Sequence, residues 1–486
     1  MPRLFNASAA WTRALAFACS TTLLIPSPAV SDEQTLPSLG SSYSSASAEE
    51  HRLGRAWLRQ FRAHAPQWQD PIAHDYLTSL VDRLAPHSQL GDLDVTTVMV
   101  DHRTLNAFAV PGGVVGIHAG LFAFAEDEGA FASVIAHELG HLSQRHYARS
   151  SERAEQTQLP AMAGMLAGLL IAAGGGGNAG IATAMGSQAA LIQDQLTYSR
   201  RYEQEADRVG LQAMADAGYD PDAMARMFRT LQRMSSLQGG TPPEFLLTHP
   251  VSESRLSDAQ SRAAQMDVAS SYSNDTLYDM IRGRALLQID SQSPRQAVSR
   301  LAQENASETA QRYVTALVDA QSGQVDTALK ALDRLRDEQP DLAMLPASAA
   351  EVALQAQRYD EAIQRSQRLL RFMPDYLPAQ LILAEAQLQR DPNAAYDILR
   401  DVTAQHPENP QGFNLLAEAA GRSGRNGLGH LARAEYLQLT GRVDSGIRQL
   451  DIAKDAAERE NDQRTLARIE QRREDFMDYR EALEEF

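Results

Sequence analysis

The chain has 486 residues, a formal net charge of −17 at pH 7 and a single cysteine. This length accommodates two or three domains, each with a sizeable buried core. The strong negative charge argues against a nucleic-acid partner and disfavours electrostatic adsorption to anionic lipid.

The N-terminal residues, 1–31, have the features of a secretory signal peptide. Two arginines and an apolar stretch, residues 14–25, precede the small residues at positions 29–31. Cleavage after residue 31 also removes Cys19, so the mature chain would contain no cysteine. Residues 32–47 are rich in serine and poor in large apolar side chains, which predicts a disordered linker. We therefore expect a periplasmic protein that is secreted through a cleaved signal peptide.

Residues 95–100 and 106–120 predict a small β-sheet, because both segments are rich in valine and phenylalanine. Pro111, Gly112 and Gly113 interrupt the second segment, as a turn would. A strand edge beside an active site can bind an extended peptide through main-chain hydrogen bonds. At the end of this segment, His118 is expected to be a packed strand residue rather than a metal ligand.

The most informative motif is His137-Glu138-Leu139-Gly140-His141, within residues 126–149, which are predicted to form one helix. Residues four apart share a helix face, so His137 and His141 point to one spot, where zinc accepts two nitrogen ligands. Glu138 is placed to take a proton from a water at that spot. The apolar residues of the same segment predict a buried helix, which favours a metal site over histidines that are merely packed.

A catalytic zinc needs a third protein ligand and one open position. His146 falls one residue short of the third histidine of the long metzincin motif, so this ligand must come from elsewhere. The best donor is the acidic helix of residues 199–210, because Glu203 and Asp207 share one face of it. One of them can bind zinc while the other accepts the free N–H of a ligating histidine. Glu205 lies away from that face and is expected to meet solvent or form a salt bridge.

Residues 159–192 are apolar on both sides of a run of glycines. Each apolar part is shorter than the ~20 residues that cross a bilayer. The segment is either a mobile lid, an element that dips into a membrane surface, or a pair of buried helices with a glycine hinge.

His249 also has more than one interpretation. It could stabilise the oxyanion of a tetrahedral intermediate, occupy the open zinc position and keep the enzyme silent, or cap a turn before the next helix. Arg255 either pairs with a carboxylate of the same site or is an exposed helix residue.

The C-terminal residues, 269–486, contain alanine-rich helical segments that repeat. Three alanines are each followed, at the same distance, by a proline, and these prolines recur at the ~34-residue period of the tetratricopeptide repeat. The alanine–proline pairs are Ala328–Pro340, Ala362–Pro374 and Ala395–Pro407. Four or five repeats are expected, closed by a charged helix of residues 458–486. Such a solenoid presents a concave surface for proteins or peptides.

Together these motifs resemble a family of zinc peptidases that includes the CAAX prenyl proteases and the mitochondrial Oma-type proteases. The greatest similarity is to its bacterial periplasmic members, which act in β-barrel assembly. The resemblance covers roughly residues 36–268, and its motifs occur in the same order at residues 106–113, 116–122, 134–146, 203–207 and 247–255.

The resemblance implies one Zn²⁺ per chain, bound by His137, His141 and Glu203, with Glu138 as the general base. For Asp207 it implies either a proton-donating role or a role in orienting a ligand, and we favour the second. It also implies substrates among unfolded or misassembled outer-membrane proteins and contact with the outer-membrane barrel assembly machinery. Peripheral contact with a membrane is compatible with the sequence.

We therefore expect a mainly α protein with a small β-sheet. A gluzincin-type metallopeptidase domain, residues 48–268, would precede an α-solenoid of tetratricopeptide repeats, residues 269–486. The expected function is that of a periplasmic zinc-dependent endopeptidase that degrades misfolded or stalled outer-membrane proteins. The alternative is a non-proteolytic periplasmic chaperone or assembly factor, with a silent or structural metal site.

Overall fold

The computed structural model describes residues 43–91, 93–150, 200–237, 243–266, 268 and 274–484. The predicted signal peptide and residues 159–192 lie outside the described residues, as does most of the predicted linker. The first helix already begins at Tyr43, so the linker expected over residues 32–47 ends earlier than predicted. Within the described ranges, no helix is both long enough and apolar enough to cross a membrane.

A three-stranded sheet has the order β1-β3-β2. Strand β1 (Thr96–Val100) pairs in parallel with β3 (Val114–His118), and β2 (Ala107–Val110) pairs with β3 in antiparallel. The turn between β2 and β3 contains Gly112 and Gly113 at φ values of 80° and 81°, a backbone region that glycine adopts without strain. The predicted small sheet and its interruption are confirmed.

Helices surround this sheet, and their apolar faces form the core of the N-terminal half. They are α1 (Tyr43–His64), α2 (Pro71–Leu84), α3 (Ala119–Phe124), α4 (Glu128–Ser143), α5 (Arg200–Asp216), α6 (Asp222–Leu237), α7 (Glu244–Thr248) and α8 (Glu253–Ala263). A single 3₁₀ turn, Ala85–His87, follows α2.

Helix α4 carries the His-Glu-x-x-His motif and is shorter than the sequence indicates. The side chain of Asp127 caps its N-terminus by accepting a backbone N–H, as aspartate commonly does. The prediction of one helix to residue 149 is wrong, because α4 ends at Ser143. Arg145 adopts φ 49°, in the left-handed region, and redirects the chain before residues 146–150 become helical again.

The C-terminal half consists of helices that pack against their neighbours in sequence. They are α9 (Asp275–Ile289), α10 (Pro294–Gln303), α11 (Glu308–Gln321), α12 (Val325–Glu338), α13 (Met344–Gln355), α14 (Tyr359–Leu370), α15 (Leu377–Leu388), α16 (Pro392–Gln405), α17 (Pro410–Arg422), α18 (Asn426–Leu439), α19 (Val443–Glu460) and α20 (Gln463–Glu484).

The repeat period inferred from prolines is confirmed in these helices. Helices α12, α14 and α16 end shortly before Pro340, Pro374 and Pro407, as expected because proline cannot donate a helical hydrogen bond. The closing helix predicted over residues 458–486 is wrong at its start. Asn461 adopts φ 56° and separates the end of α19 from the C-terminal helix α20.

The described residues from 45 onward belong to one compact unit, which includes both the peptidase half and the repeats. The hydroxyl of Tyr278, on α9, donates to the carbonyl oxygen of Phe122 at 3.1 Å. Arg284, also on α9, binds Asp70 at the start of α2 at 2.6 Å and Glu351 on α13 at 2.8 Å. Buried hydrogen bonds and buried ion pairs therefore join the peptidase half to the repeats.

The last repeats contact α1. Arg59 donates to the side chain of Gln438 at 2.8 Å, and its guanidinium lies 3.8 Å from the centre of the Tyr479 ring. Arg62 donates to the carbonyl oxygen of Glu408 at 3.0 Å. Part of the repeat surface that was expected to be open to partners is thus covered by the chain itself. A cavity of about 510 Å³ remains between β1 and the repeats.

Candidate metal centre

Helices α4 and α5 approach closely enough for side chains from both to meet at one point. A Cβ atom on Gly140 would lie 2.7 Å from the carbonyl oxygen of Ala206. A Cβ atom on Gly210 would lie 3.1 Å from the backbone nitrogen of His137. One glycine on each helix therefore permits this contact, and larger residues would push the two helices apart.

Four buried side chains converge between these helices and the end of α7. They are His137 and His141 on α4, Glu203 on α5, and His249 directly after α7, with ligand atoms within 4.8 Å of one another. Nε2 of His141 lies 3.0 Å from Nε2 of His137. The carboxylate oxygens of Glu203 lie 3.5 Å from these nitrogens, Oε2 from His137 and Oε1 from His141.

The donor set fits a zinc ion. Zinc binds nitrogen and oxygen ligands at about 2.0–2.2 Å in a tetrahedron, which places neighbouring ligand atoms about 3.3–3.5 Å apart. Oδ1 of Asp207 lies 2.9 Å from Nδ1 of His137, so Nδ1 is held as a donor and Nε2 faces the cluster. An ionised carboxylate and ring nitrogens that converge in a buried place need a positive charge between them, either a proton or a bound cation.

The pKa values follow from burial and from the neighbouring charges. Burial lowers the pKa of His141 well below its usual value, and the charge of His137 adds to this effect. Burial would raise the pKa of Glu203, but His249 and His137 outweigh it and hold that pKa well below the ordinary range. Glu203 is therefore ionised and His141 is neutral, which are the states in which each can bind a metal.

His137 responds in the opposite direction from His141. Burial lowers its pKa, but hydrogen bonds to Asp207 and Glu203 outweigh the burial and raise the pKa to about 9. The two imidazoles of the motif thus have different surroundings, although they share one helix face.

Glu138 is buried beside the cluster, and within the described part of the chain neither of its carboxylate oxygens has a hydrogen-bond partner. Its Oε1 lies 3.5 Å from Nε2 of His249. Burial raises the pKa of Glu138, and the nearby charge of His249 offsets this rise only in part. A carboxylate in this environment is well suited to accept a proton from a nearby water.

Asp207 contacts a ligand rather than the centre of the cluster. Beyond its contact with His137, both of its oxygens accept from Arg255 at 2.7 Å. Arg255 also lies 2.7 Å from Oε2 of Glu203 and is buried. Of the two alternatives for this arginine, the pair with site carboxylates is the one that the structure contains. Asp207 and Arg255 together fix the orientation of His137 and Glu203.

His146 lies behind His141. Its Nδ1 is 2.9 Å from Nδ1 of His141, and its Nε2 is 3.1 Å from Oε2 of Glu205. Glu205 also accepts from Arg149 at 2.7 Å and from Arg201 at 2.8 Å, so it is a buried salt-bridge residue and does not face solvent. No feature of the sequence indicated the His146 contact, because helical periodicity does not reveal the positive φ at Arg145 that ends α4.

The sequence leaves the role of His249 open, and the structure places this residue directly after α7. Its backbone N–H donates to the carbonyl oxygen of Phe245 at 2.8 Å and closes the last turn of α7. Its side chain nevertheless belongs to the cluster, with Nδ1 3.2 Å from Oε1 of Glu203 and 3.4 Å from Nε2 of His137. The structure thus places this imidazole where a fourth ligand would be.

A second group of two histidines and a glutamate, called here the Thr104 hub, lies at the other end of α7. The hydroxyl of Thr104 is 2.7 Å from Nδ1 of His102, 2.9 Å from Nδ1 of His118 and 2.8 Å from Oε2 of Glu244. Burial lowers the pKa of His118 to about 3, so this ring is neutral. The hub fastens the first residue of α7 to the loop before β2.

Comparisons with known proteins agree with this geometry. Residues 71–263 match the model of peptidase family M48, and residues 353–419 match a tetratricopeptide repeat model. The β-barrel assembly-enhancing protease of Escherichia coli (strain K12) is 34% identical over 437 residues, which cover 88% of each chain. The protein of the same name from Yersinia pestis is 33% identical over 427 residues, or 87% of each chain. The mitochondrial metalloendopeptidase OMA1 of Schizosaccharomyces pombe is 30% identical over 194 residues, 37% of this chain and 50% of the relative.

Proposed function

The chain belongs to peptidase family M48 and is a zinc metallopeptidase with C-terminal tetratricopeptide repeats, and from this premise we propose that it is a periplasmic endopeptidase that degrades misfolded or stalled outer-membrane proteins. One observation carries the proposal. His137, His141 and Glu203 face one another at 3.0–3.5 Å beside Glu138, a buried carboxylate that has no hydrogen-bond partner among the described residues.

In this proposal His137, His141 and Glu203 hold the ion. When bound, zinc supplies a Lewis acid for the scissile carbonyl and lowers the pKa of water to about 7. Glu138 accepts the proton of the attacking water and passes it to the leaving amine. Asp207 acts through His137, because its carboxylate keeps the proton on Nδ1 and directs the Nε2 lone pair to the centre.

We propose further that His249 keeps the centre silent. Its imidazole occupies the position that the attacking water needs, and it is carried by α7, a helix of a single turn. Movement of α7 would withdraw the imidazole and open that position. His249 would then act as a latch on the peptidase rather than as a permanent ligand.

Substrate class and location are inferred from relatives. The names of the relatives from Escherichia coli and Yersinia pestis link them to β-barrel assembly, which takes place in the outer membrane. The repeats would bind unfolded outer-membrane proteins or the barrel assembly machinery through the surface that α1 leaves uncovered. The cavity of about 510 Å³ beside β1 is one place where an extended segment could lie.

A non-proteolytic chaperone or assembly factor is the second candidate, and the position of His249 favours it. If this imidazole never leaves the cluster, the ion has only a structural role and the repeat surface does the work. The two candidates differ in whether zinc-loaded protein can cleave an unfolded chain under any condition.

Digestion of casein by protein of measured zinc content distinguishes the endopeptidase from the non-proteolytic chaperone. We expect slow cleavage that a chelator abolishes. Glu138→Gln should keep its zinc and lose at least about 10²-fold in rate, because general acid–base catalysis contributes ~10²–10⁴-fold. Glu128→Gln alters a buried glutamate of the same helix that faces Tyr76 instead, and it should keep the activity. Equal cleavage by the Glu138→Gln variant would remove Glu138 from its role.

A further inference from the structure

A hydrogen-bonded path starts on the side of His141 that faces away from the metal centre. It runs from Nδ1 of His141 to Nδ1 of His146, over 2.9 Å, and from Nε2 of His146 to Oε2 of Glu205, over 3.1 Å. His146 and Glu205 do not belong to the ligand group itself. His141 is the member of that group to which His146 is hydrogen-bonded.

The contacts of Glu205 determine where each proton in this path lies. Arg149 and Arg201 both donate to its carboxylate, so Glu205 is an ionised acceptor. His146 must then donate through Nε2–H, which leaves a lone pair on its Nδ1. That lone pair accepts the Nδ1–H of His141. The Nε2 lone pair of His141 is consequently directed at the metal centre.

His146 is held firmly enough to impose this order. Its side chain is fully buried, and its ring stacks on that of Tyr202 with the ring centres 4.5 Å apart and an angle of 19° between the planes. The backbone reversal at Arg145 brings the ring back toward α5. If α4 continued as a regular helix, the side chain of residue 146 would point to a different face from that of His141, because the two are five positions apart. It would then not contact the outer nitrogen of His141.

The two ligand histidines of the motif are therefore supported in different ways. Nδ1 of His137 lies 2.9 Å from a carboxylate oxygen of Asp207, with no residue between them. His141 donates to a neutral imidazole, which in turn donates to Glu205. We propose that His146 is a positioning residue for His141, anchored by Glu205, and that this pair selects the tautomer and ring orientation in which His141 binds zinc. The inference rests on the proposed function in that the ion is zinc.

Zinc affinity of the full chain tests this inference, measured by competition with a chromophoric chelator. His146→Phe keeps a ring that can stack on Tyr202 but removes the acceptor, and it should weaken zinc binding about 10–100-fold, as is typical for partners of ligand histidines. His146→Asn places an amide oxygen near the position of Nδ1 and should recover most of the loss. The absorption spectrum of the Co²⁺-loaded protein should change in His146→Phe and resemble the unaltered chain in His146→Asn.

The matched control is His74→Phe. His74 also has a hydrogen-bonded ring nitrogen, which lies 3.1 Å from the carbonyl oxygen of Thr97, and this histidine lies outside the ligand group. This substitution should leave zinc affinity unchanged. A similar loss in His74→Phe would show that the effect in His146→Phe is general destabilisation, and it would overturn the inference.

Two other results would also overturn it. One is a folded His146→Phe variant that binds zinc as tightly as the unaltered chain, and the other is an Asn variant as weak as the Phe variant. If His146→Phe does not fold, Glu205→Gln decides. It removes the charge that fixes the proton of His146 and should weaken zinc binding at least several-fold, so unchanged affinity would contradict the inference. Failure of the unaltered chain to bind zinc would instead refute the proposed function.

Discussion

Two groups of histidines, each with one glutamate, lie at opposite ends of α7. The metal centre has His137, His141 and Glu203, with His249 directly after the helix. The Thr104 hub has His102, His118 and Glu244, and Glu244 is the first residue of the helix. Both groups bring their ligand atoms within 4.8 Å of one another.

What differs is the direction of protons and lone pairs. In the hub, a hydroxyl stands among the three side chains at 2.7–2.9 Å and connects them by hydrogen bonds. In the metal centre, Asp207 and His146 hold the outer nitrogens of the two histidines, so both inner nitrogens point at the carboxylate of Glu203, where a cation can bind all three side chains. A set of ligand-type residues therefore becomes a metal site through its outer contacts, and composition alone does not distinguish the two groups.

The largest expected effect comes from removing one histidine from each group. His137→Ala should weaken zinc binding by more than the ~10–100-fold typical of outer partners, because it deletes a ligand. His118→Ala should leave zinc affinity unchanged and lower only the stability of the fold. Elemental analysis and chelator competition on both variants measure the contrast. Equal loss of zinc in the two variants would make the hub part of the metal site.

A smaller effect is expected at His249, the residue through which α7 reaches the metal centre. His249→Ala should keep zinc, because three protein ligands remain, and should raise casein cleavage on the order of tenfold, which corresponds to ~1.4 kcal/mol in favour of the open site. Leu246→Met, a conservative change on the same helix that retains the imidazole, is the control and should stay slow. Cleavage that is unchanged or lower in His249→Ala would show that this histidine is not a latch.

The smallest effect should follow from loosening the hub end of α7. Thr104→Val leaves buried polar groups of His118 and Glu244 without their partner, which should lower the free energy of unfolding by ~1–3 kcal/mol. Urea denaturation measures this change. Cleavage should rise less than in His249→Ala, because α7 is loosened but the imidazole remains.

Thr78→Val is the matched control for that change. The hydroxyl of Thr78 has a long contact of 3.4 Å with that of Thr97, away from α7, so its loss should cost little and leave cleavage unchanged. If both threonine variants lost stability equally, the hub would have no special role in fastening α7.

The metal centre could be located from sequence because its spacing is local. His137 and His141 are four apart on one helix, and Glu203 and Asp207 are four apart on another, so helical geometry places each pair on one face. The choice of Glu203 as the ligand followed from the resemblance to the zinc peptidases. The role of His249 could not be chosen from the sequence, because its contacts with His137 and Glu203 join residues far apart in the chain and depend on tertiary packing. The break at Arg145 was missed for a related reason. A non-glycine residue with positive φ has no sequence signal here.

In the fold, too, the features set by local sequence patterns could be predicted, and those set by tertiary packing could not. The recurring alanine–proline spacing predicted the repeat helices, and segments rich in valine and phenylalanine predicted the sheet, because both patterns reflect local geometry. The packing of α1 against the last repeats was not foreseen. Arginines such as Arg59 and Arg62 are usual on the solvent-exposed face of a helix. Only the structure shows that they contact Gln438 and Glu408.

The most direct test is a crystal structure of the full-length protein, recorded at wavelengths on both sides of the zinc absorption edge. We expect a single anomalous peak per chain, about 2.0–2.2 Å from Nε2 of His137, Nε2 of His141 and the carboxylate of Glu203. A peak at the Thr104 hub, or no peak between α4 and α5 in zinc-loaded crystals, would contradict the assignment of the metal centre.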